Sequence, residues 1–181
     1  MTKYAMIEIS NQQAYRDGSH MTLTPRIECA GKETYTSLDD LKATVTAEHK
    51  TDEIAFDVKG RMLTTGHQPP SGGDMFYHFA YTLREASVEL IATVSGPAPA
   101  TVRLVVPVIA RADELFSQPD ARTVRVAKAK GTLTVQTDAV EGFEKVPQER
   151  TFNLVPGFEA ISLSVVLQTG KEARVKIRVE Q

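Results

Sequence analysis

Apolar and polar residues alternate one for one along most of this chain. Successive side chains on a strand point to opposite sides, so this rhythm predicts strands with one buried and one solvated face. Near the C-terminus Ala173, Val175, Ile177 and Val179 share one face, and Arg174, Lys176, Arg178 and Glu180 the other. Ile161, Leu163, Val165 and Leu167 form a similar stripe, and the turn Thr169-Gly170-Lys171 between the two predicts a C-terminal hairpin. Leu41, Ala43, Val45 and Ala47 alternate with Lys42, Thr44, Thr46 and Glu48. Ile54, Phe56 and Val58 make another set, as do Val88, Leu90, Ala92 and Val94, and Leu133 with Val135. Residues 102–109 are apolar on nearly both faces, which places them at the centre of a sheet. Pro107 lies within that run and has no N–H for a ladder, so a bulge is predicted there.

Helix signals are short. Residues 37–41 read as one turn capped by Ser37, and residues 112–118 as another, ended by Pro119. The turns are rich in Gly, Pro and Asp, and Asp17-Gly18 ahead of Ser19-His20-Met21 reads as one of them. The prediction is an all-β fold, an antiparallel two-sheet β-sandwich of ten to twelve strands. At 181 residues this fits one domain, residues 1–181, either a whole product or a piece of a longer chain.

Charge and composition narrow the function. A net charge of −2 argues against nucleic-acid and anionic-membrane partners, which call for a basic patch. The first residues lack the leader pattern of an exported protein, and no run is long and apolar enough to span a bilayer. The chain as written reads as cytoplasmic, or as secreted or periplasmic if it is a fragment. Cys29 is the single cysteine, so it forms no internal disulfide; it alternates in phase with Ile27 and reads as a small buried hydrophobe.

Two loops exceed what a hairpin needs. One is Gly66-His67-Gln68-Pro69-Pro70-Ser71-Gly72-Gly73-Asp74, and long irregular loops on a rigid scaffold are where function concentrates. The other, residues 137–150, carries Asp138, Glu141, Glu144 and Glu149 around Phe143. The stretch from His67 to Arg84 is the most chemically loaded. As a strand, residues 76–83 send Tyr77, Phe79, Tyr81 and Leu83 one way and Phe76, His78 and Ala80 the other.

A sugar-facing reading makes His67, Asp74, Tyr77, His78, Tyr81 and Arg84 the substrate-binding set. Aromatic rings offer an apolar face with a polar handle, which suits a pyranose. Tyr, His and Arg also supply the base, acid and cation that β-elimination in a uronic-acid polymer requires. The plainer reading makes Tyr77, Phe79 and Tyr81 core, with His78 a half-buried, satisfied residue. No H-x-H, H-E-x-x-H or C-x-x-C pair occurs, so no metal site is assigned and no cofactor is implied. Zinc on Asp74, His78 and His67 has no such pair behind it, and calcium on the acidic 138–149 loop has slightly more support, though no EF-hand pattern is present. The chain has no G-x-S-x-G elbow, Walker A loop or G-x-G-x-x-G fingerprint. Arg122, Arg125, Lys128 and Lys130 cluster before Gly131, as a charged strand edge would.

Val102-Arg-Leu-Val-Val-Pro-Val-Ile109, then Phe152-Asn-Leu-Val-Pro-Gly-Phe158 and the closing strands, resemble the C-terminal β-sandwich region of heparinase II/III-like and related polysaccharide-degrading enzymes. The resemblance covers the last 80 to 100 residues or so and rests on the texture of the sequence. It implies a polysaccharide or oligosaccharide ligand and a helical (α/α) toroid of the same parent chain as partner. The domain would then support the toroid or line one wall of its cleft, and no catalytic residue carries over. Three readings stand: a non-catalytic or partly contributing carbohydrate-associated module; a stand-alone lyase or sugar isomerase using His67, His78, Tyr81 and Arg84; or a structural, oligomerising module.

Overall fold

A computed structural model describes residues 24–111, 113–146, 151–152 and 158–180. The Asp17-Gly18 turn, residues 1–10, Ala112, Glu149 and residues 153–157 of the resembling stretch lie outside the described residues. Among the described residues thirteen strands form two antiparallel sheets. The smaller holds β1 (Arg26–Ala30), β2 (Thr34–Thr36), β7 (Val102–Arg111), β11 (Thr151–Phe152) and β12 (Phe158–Leu167), in the order β11-β12-β7-β1-β2. The larger holds β3 (Thr44–Lys50), β4 (Glu53–Arg61), β5 (Phe76–Arg84), β6 (Ser87–Ser95), β8 (Phe116–Asp120), β9 (Thr123–Lys128), β10 (Gly131–Thr137) and β13 (Ala173–Glu180). Its order is β3-β4-β5-β6-β13-β10-β9-β8. Among the described residues the helical content is one 3₁₀ turn, Ser37–Asp39, and no helix is long and apolar enough to cross a membrane.

The apolar stripes meet between the sheets. Ile27, Leu104, Val106, Leu163 and Val165 of the small sheet face a core shared with Phe79, Val94, Val124, Val126 and Val175 of the large one. Strand β7 sits between β12 and β1, the central place its two apolar faces predict. Cys29 lies wholly inside beside Ile27, and burial pushes its thiol above the ordinary value.

The structure departs from the sequence reading at several points. The stripes at 161–167 and 173–179 are not a hairpin: β12 pairs with β7 and β11, whereas β13 pairs with β6 and β10. The turn at Gly170 carries the chain from one sheet to the other, so the two apolar faces look across the core instead of sharing a ladder. Pro107 makes no bulge, since β7 and β12 stay in register from Phe158↔Arg111 to Leu167↔Val102. On the other flank β1 stops opposite Val105, so the proline stands beyond its last pair. Thr36, not Ser37, caps the 3₁₀ turn by accepting from Leu38 N at 3.0 Å, and Ser37 Oγ accepts from Ile27 N at 3.0 Å. Residues 116–120 are the edge strand β8 rather than a helical turn, with Pro119 tolerated at an edge that carries a register shift.

Sheet widths differ, and the difference shapes the surface. Five strands cannot roof eight, so the β3 end of the large sheet is left open. Leu41 is 74% exposed and Val45 55%, although the alternation predicts a buried stripe through both. This open end borders the groove described next.

Candidate functional site

The β4–β5 connection is long but anchored. Met62 N donates to Met75 O at 2.9 Å, closing the loop at its base, and both side chains are fully buried. Leu63 and Thr36 exchange backbone hydrogen bonds at 2.8 and 3.2 Å, tying the loop to the end of β2. Farther out, Thr64 N donates to Gln68 O at 2.9 Å and His67 N to Thr64 O at 2.8 Å. His67 sits at the apex of that turn with φ 59°, a left-handed conformation that histidine tolerates better than most residues. Its Nδ1 lies 2.8 Å from Asp39 O. A carbonyl only accepts, so Nδ1 carries a proton and donates it.

Asp40 braces the floor. Its Oδ1 accepts from Lys42 N at 2.9 Å and its Oδ2 from Arg61 N at 2.8 Å, with the Tyr77 hydroxyl at 3.5 Å from the same oxygen. Only a glycine at position 60 admits this seat, because a Cβ there would fall 2.0 Å from Asp40 Oδ2. Burial, and then the Asp40 charge, push the Tyr77 phenol well above its ordinary value, so it stays a donor.

Between these parts runs a groove of about 990 Å³, at the upper end of the size range of small-molecule sites. Leu41, Lys42, Lys59, Arg61, Phe76 and His78 line it, with His67 from the loop and Tyr77 beneath. Phe76 is 44% exposed, and the Arg61 guanidinium lies over its ring, 5.5 Å from the centroid. Arg61 Nη1 also reaches Asp74 Oδ2 at 3.5 Å. His78 Nε2 lies 2.5 Å from Asp57 Oδ1 on the neighbouring strand, and since a carboxylate oxygen accepts, the ring donates through Nε2–H.

The fold gathers His67, Tyr77 and His78 in this groove, and Asp74 borders it through Arg61. Tyr81 does not reach it: it is buried beside Phe79 in the core, 5.8 Å between ring centroids. Arg84 lies at the opposite end of β5, paired with Glu53 at 2.7 Å. Six residues separate it from His78, roughly 20 Å of strand. Asp40, Lys42, Lys59 and Arg61 escaped the sequence reading. The signal was the glycine breaking alternation between two cations in Lys59-Gly60-Arg61.

Two of the acidic loop's carboxylates have structural partners. Phe143 is buried and bridges to Val165; Glu144 binds Arg103 Nε at 2.8 Å and the Ser164 hydroxyl; Asp138 Oδ1 accepts from Arg174 N at 2.8 Å. Among the described residues no three His, Cys, Asp or Glu side chains gather as metal ligands. In the basic cluster, Lys128 is tied to Glu114 at 2.5 Å and to Ile109 O at 3.1 Å.

Comparison with known proteins bears on this architecture. The family model for the ulvan lyase C-terminal domain matches residues 1–180. The chain is 25% identical over 170 residues to a broad-specificity ulvan lyase of Formosa agariphila, an alignment covering 93% of this chain and 26% of that protein. It therefore spans about a quarter of the length of that relative. The heparinase-type resemblance holds at the coarser level, the C-terminal domain of a polysaccharide lyase.

Proposed function

We propose that this chain, which belongs to the ulvan lyase C-terminal domain family, serves as an accessory saccharide-binding domain of a polysaccharide-degrading enzyme, using the groove between β4, β5 and the 62–75 loop. The observation that carries this reading is the exposed ring of Phe76 in a groove whose floor is already braced. A half-exposed aromatic beside polar side chains offers a sugar ring an apolar platform with hydrogen-bonding groups at its edge. The catalytic centre belongs, in this reading, to another part of the parent protein, a helical unit of the kind that precedes such sandwiches. A self-contained lyase built on His67, His78, Tyr81 and Arg84 has the geometry against it, since Tyr81 is interior and Arg84 is at the far end of β5.

Affinity electrophoresis through gels containing ulvan tests the proposal. The chain is expected to be retarded, and Phe76→Ala to weaken retention about tenfold, the loss of roughly 1.4 kcal/mol of ring contact. Migration unaffected by ulvan, in a sample whose melting shows it folded, would sink the reading.

A further inference from the structure

We infer that the groove contains an anion seat formed by Lys42 and Lys59, which takes the carboxylate or sulfate group of a sugar residue while Phe76 takes the ring. The inference rests on the saccharide-binding reading and deepens it. Both lysines are exposed and line the same groove. Lys59 on β4 stands opposite Thr44 of β3, two residues from Lys42.

What singles them out is the fate of the neighbouring charges. Asp40 is engaged by the backbone N–H groups of Lys42 and Arg61; Asp57 holds His78; Asp74 pairs with Arg61; Asp39 is buried. Among the described residues neither Lys42 nor Lys59 has an ion-pair partner, in contrast to Lys50, Lys128, Arg84, Arg103 and Arg174. Within the groove Arg61 is paired with Asp74, which leaves the two ammonium groups beside an aromatic ring in a concave surface. The Lys42 backbone is held at the groove's edge, because its own N–H is one of the two that Asp40 binds. Two features converge: a platform for a sugar face, and two ammonium groups without an ion-pair partner beside it. A neutral glycan would use only the first.

Isothermal titration with ulvan, repeated in rising sodium chloride, tests the seat. Lys42→Met and Lys59→Met are each expected to weaken binding about fivefold to tenfold, with a flatter salt dependence than the wild type. Both positions are exposed, so unchanged melting confirms that the variants are folded. Polygalacturonate, dextran sulfate and neutral dextran identify the anion. Binding of the first assigns a carboxylate, and binding of the second but not of plain dextran assigns a sulfate ester. Wild-type affinity for ulvan in both lysine variants, or equal binding of dextran and dextran sulfate, overturns the seat and leaves the accessory role standing. Failure of the wild type to bind ulvan removes both.

Discussion

Replacing Gly60 with alanine probes the brace under the groove, and its sign follows from two opposed effects. Gly60 does not have a positive φ, so alanine carries no torsional penalty there. By itself the change would stabilise the protein by about 0.5–1 kcal/mol through a less flexible unfolded chain. Against this, the new Cβ would stand 2.0 Å from Asp40 Oδ2 and 2.7 Å from the Tyr77 hydroxyl, distances no contact tolerates. The carboxylate must leave, giving up its bonds from Lys42 N at 2.9 Å and Arg61 N at 2.8 Å. Hydrogen bonds to a charged acceptor contribute about 1.5 kcal/mol each at the low end. The balance is about 2 kcal/mol of destabilisation, which lowers Tm by roughly 4–8 °C in a domain of this size. Thermal unfolding followed by circular dichroism reads the shift. Gly72→Ala is the control: a Cβ there meets nothing within 4 Å, and Tm is expected to hold or rise slightly. Asp40→Ala should cost a similar amount, and Gly60→Ala should add little on top of it, because both remove the same contacts. Gly60→Ala melting at or above the wild type, with Asp40→Ala destabilised, would refute the seating of the carboxylate on residue 60.

Further outcomes follow from the packing and the shifted acids. Leu104→Ala, in the fully buried core, is expected to cost about 2–5 kcal/mol in urea unfolding, and Leu41→Ala, on the open end, no more than about 0.5; equal costs would contradict the unequal roofing of the large sheet. The Arg103 guanidinium, with the Ser164 hydroxyl, holds the Glu144 carboxyl below its ordinary value. Its stabilisation is therefore complete above the ordinary carboxylate range and lost as pH falls through the lowered value. The Tm gap between wild type and Glu144→Gln should narrow as pH falls below the ordinary carboxylate range and close in stronger acid, and a gap unchanged into strong acid would count against the pairing. Burial raises both Tyr77 and Tyr81 above the ordinary phenol value. Stability they contribute is present below that value and lost as pH rises past it. Phenolate absorbance should therefore appear for these two only with alkaline unfolding; ionisation at the ordinary value in folded protein would contradict their burial.

Alternation made the sandwich legible because it reports which face of each strand is buried. It does not report which edge is paired, which is why residues 161–167 and 173–179 read as a hairpin and proved to be members of different sheets. Nor does it report whether a face finds cover, as Leu41 and Val45 show. In the site, the local cluster of His67, Tyr77 and His78 was visible because one hairpin carries all three. Asp40 was not, since its contact with Arg61 N joins residues 21 apart in the chain and depends on an absent side chain at Gly60. The place of Arg84 could be read from strand length alone, since six residues of strand, roughly 20 Å, part it from His78. The electrostatic choice at Lys42 and Lys59 emerges only when every neighbouring carboxylate has been traced to a partner.

The mismatch in sheet width bears on the groove's dynamics. Strand β3 is exposed along its whole length and touches its sheet through β4 alone. Held by a ladder with little packing behind it, such a hairpin opens at a lower free energy than the core strands. Lys42 and Lys59 belong to this soft end, whereas Phe76 belongs to β5, farther into the sheet. A ligand spanning the lysines and the ring would fasten the loose margin to the firm interior. Occupancy of the groove and closure of the β3–β4 margin are then one linked equilibrium, and slowed amide hydrogen exchange in residues 44–50 is its signature.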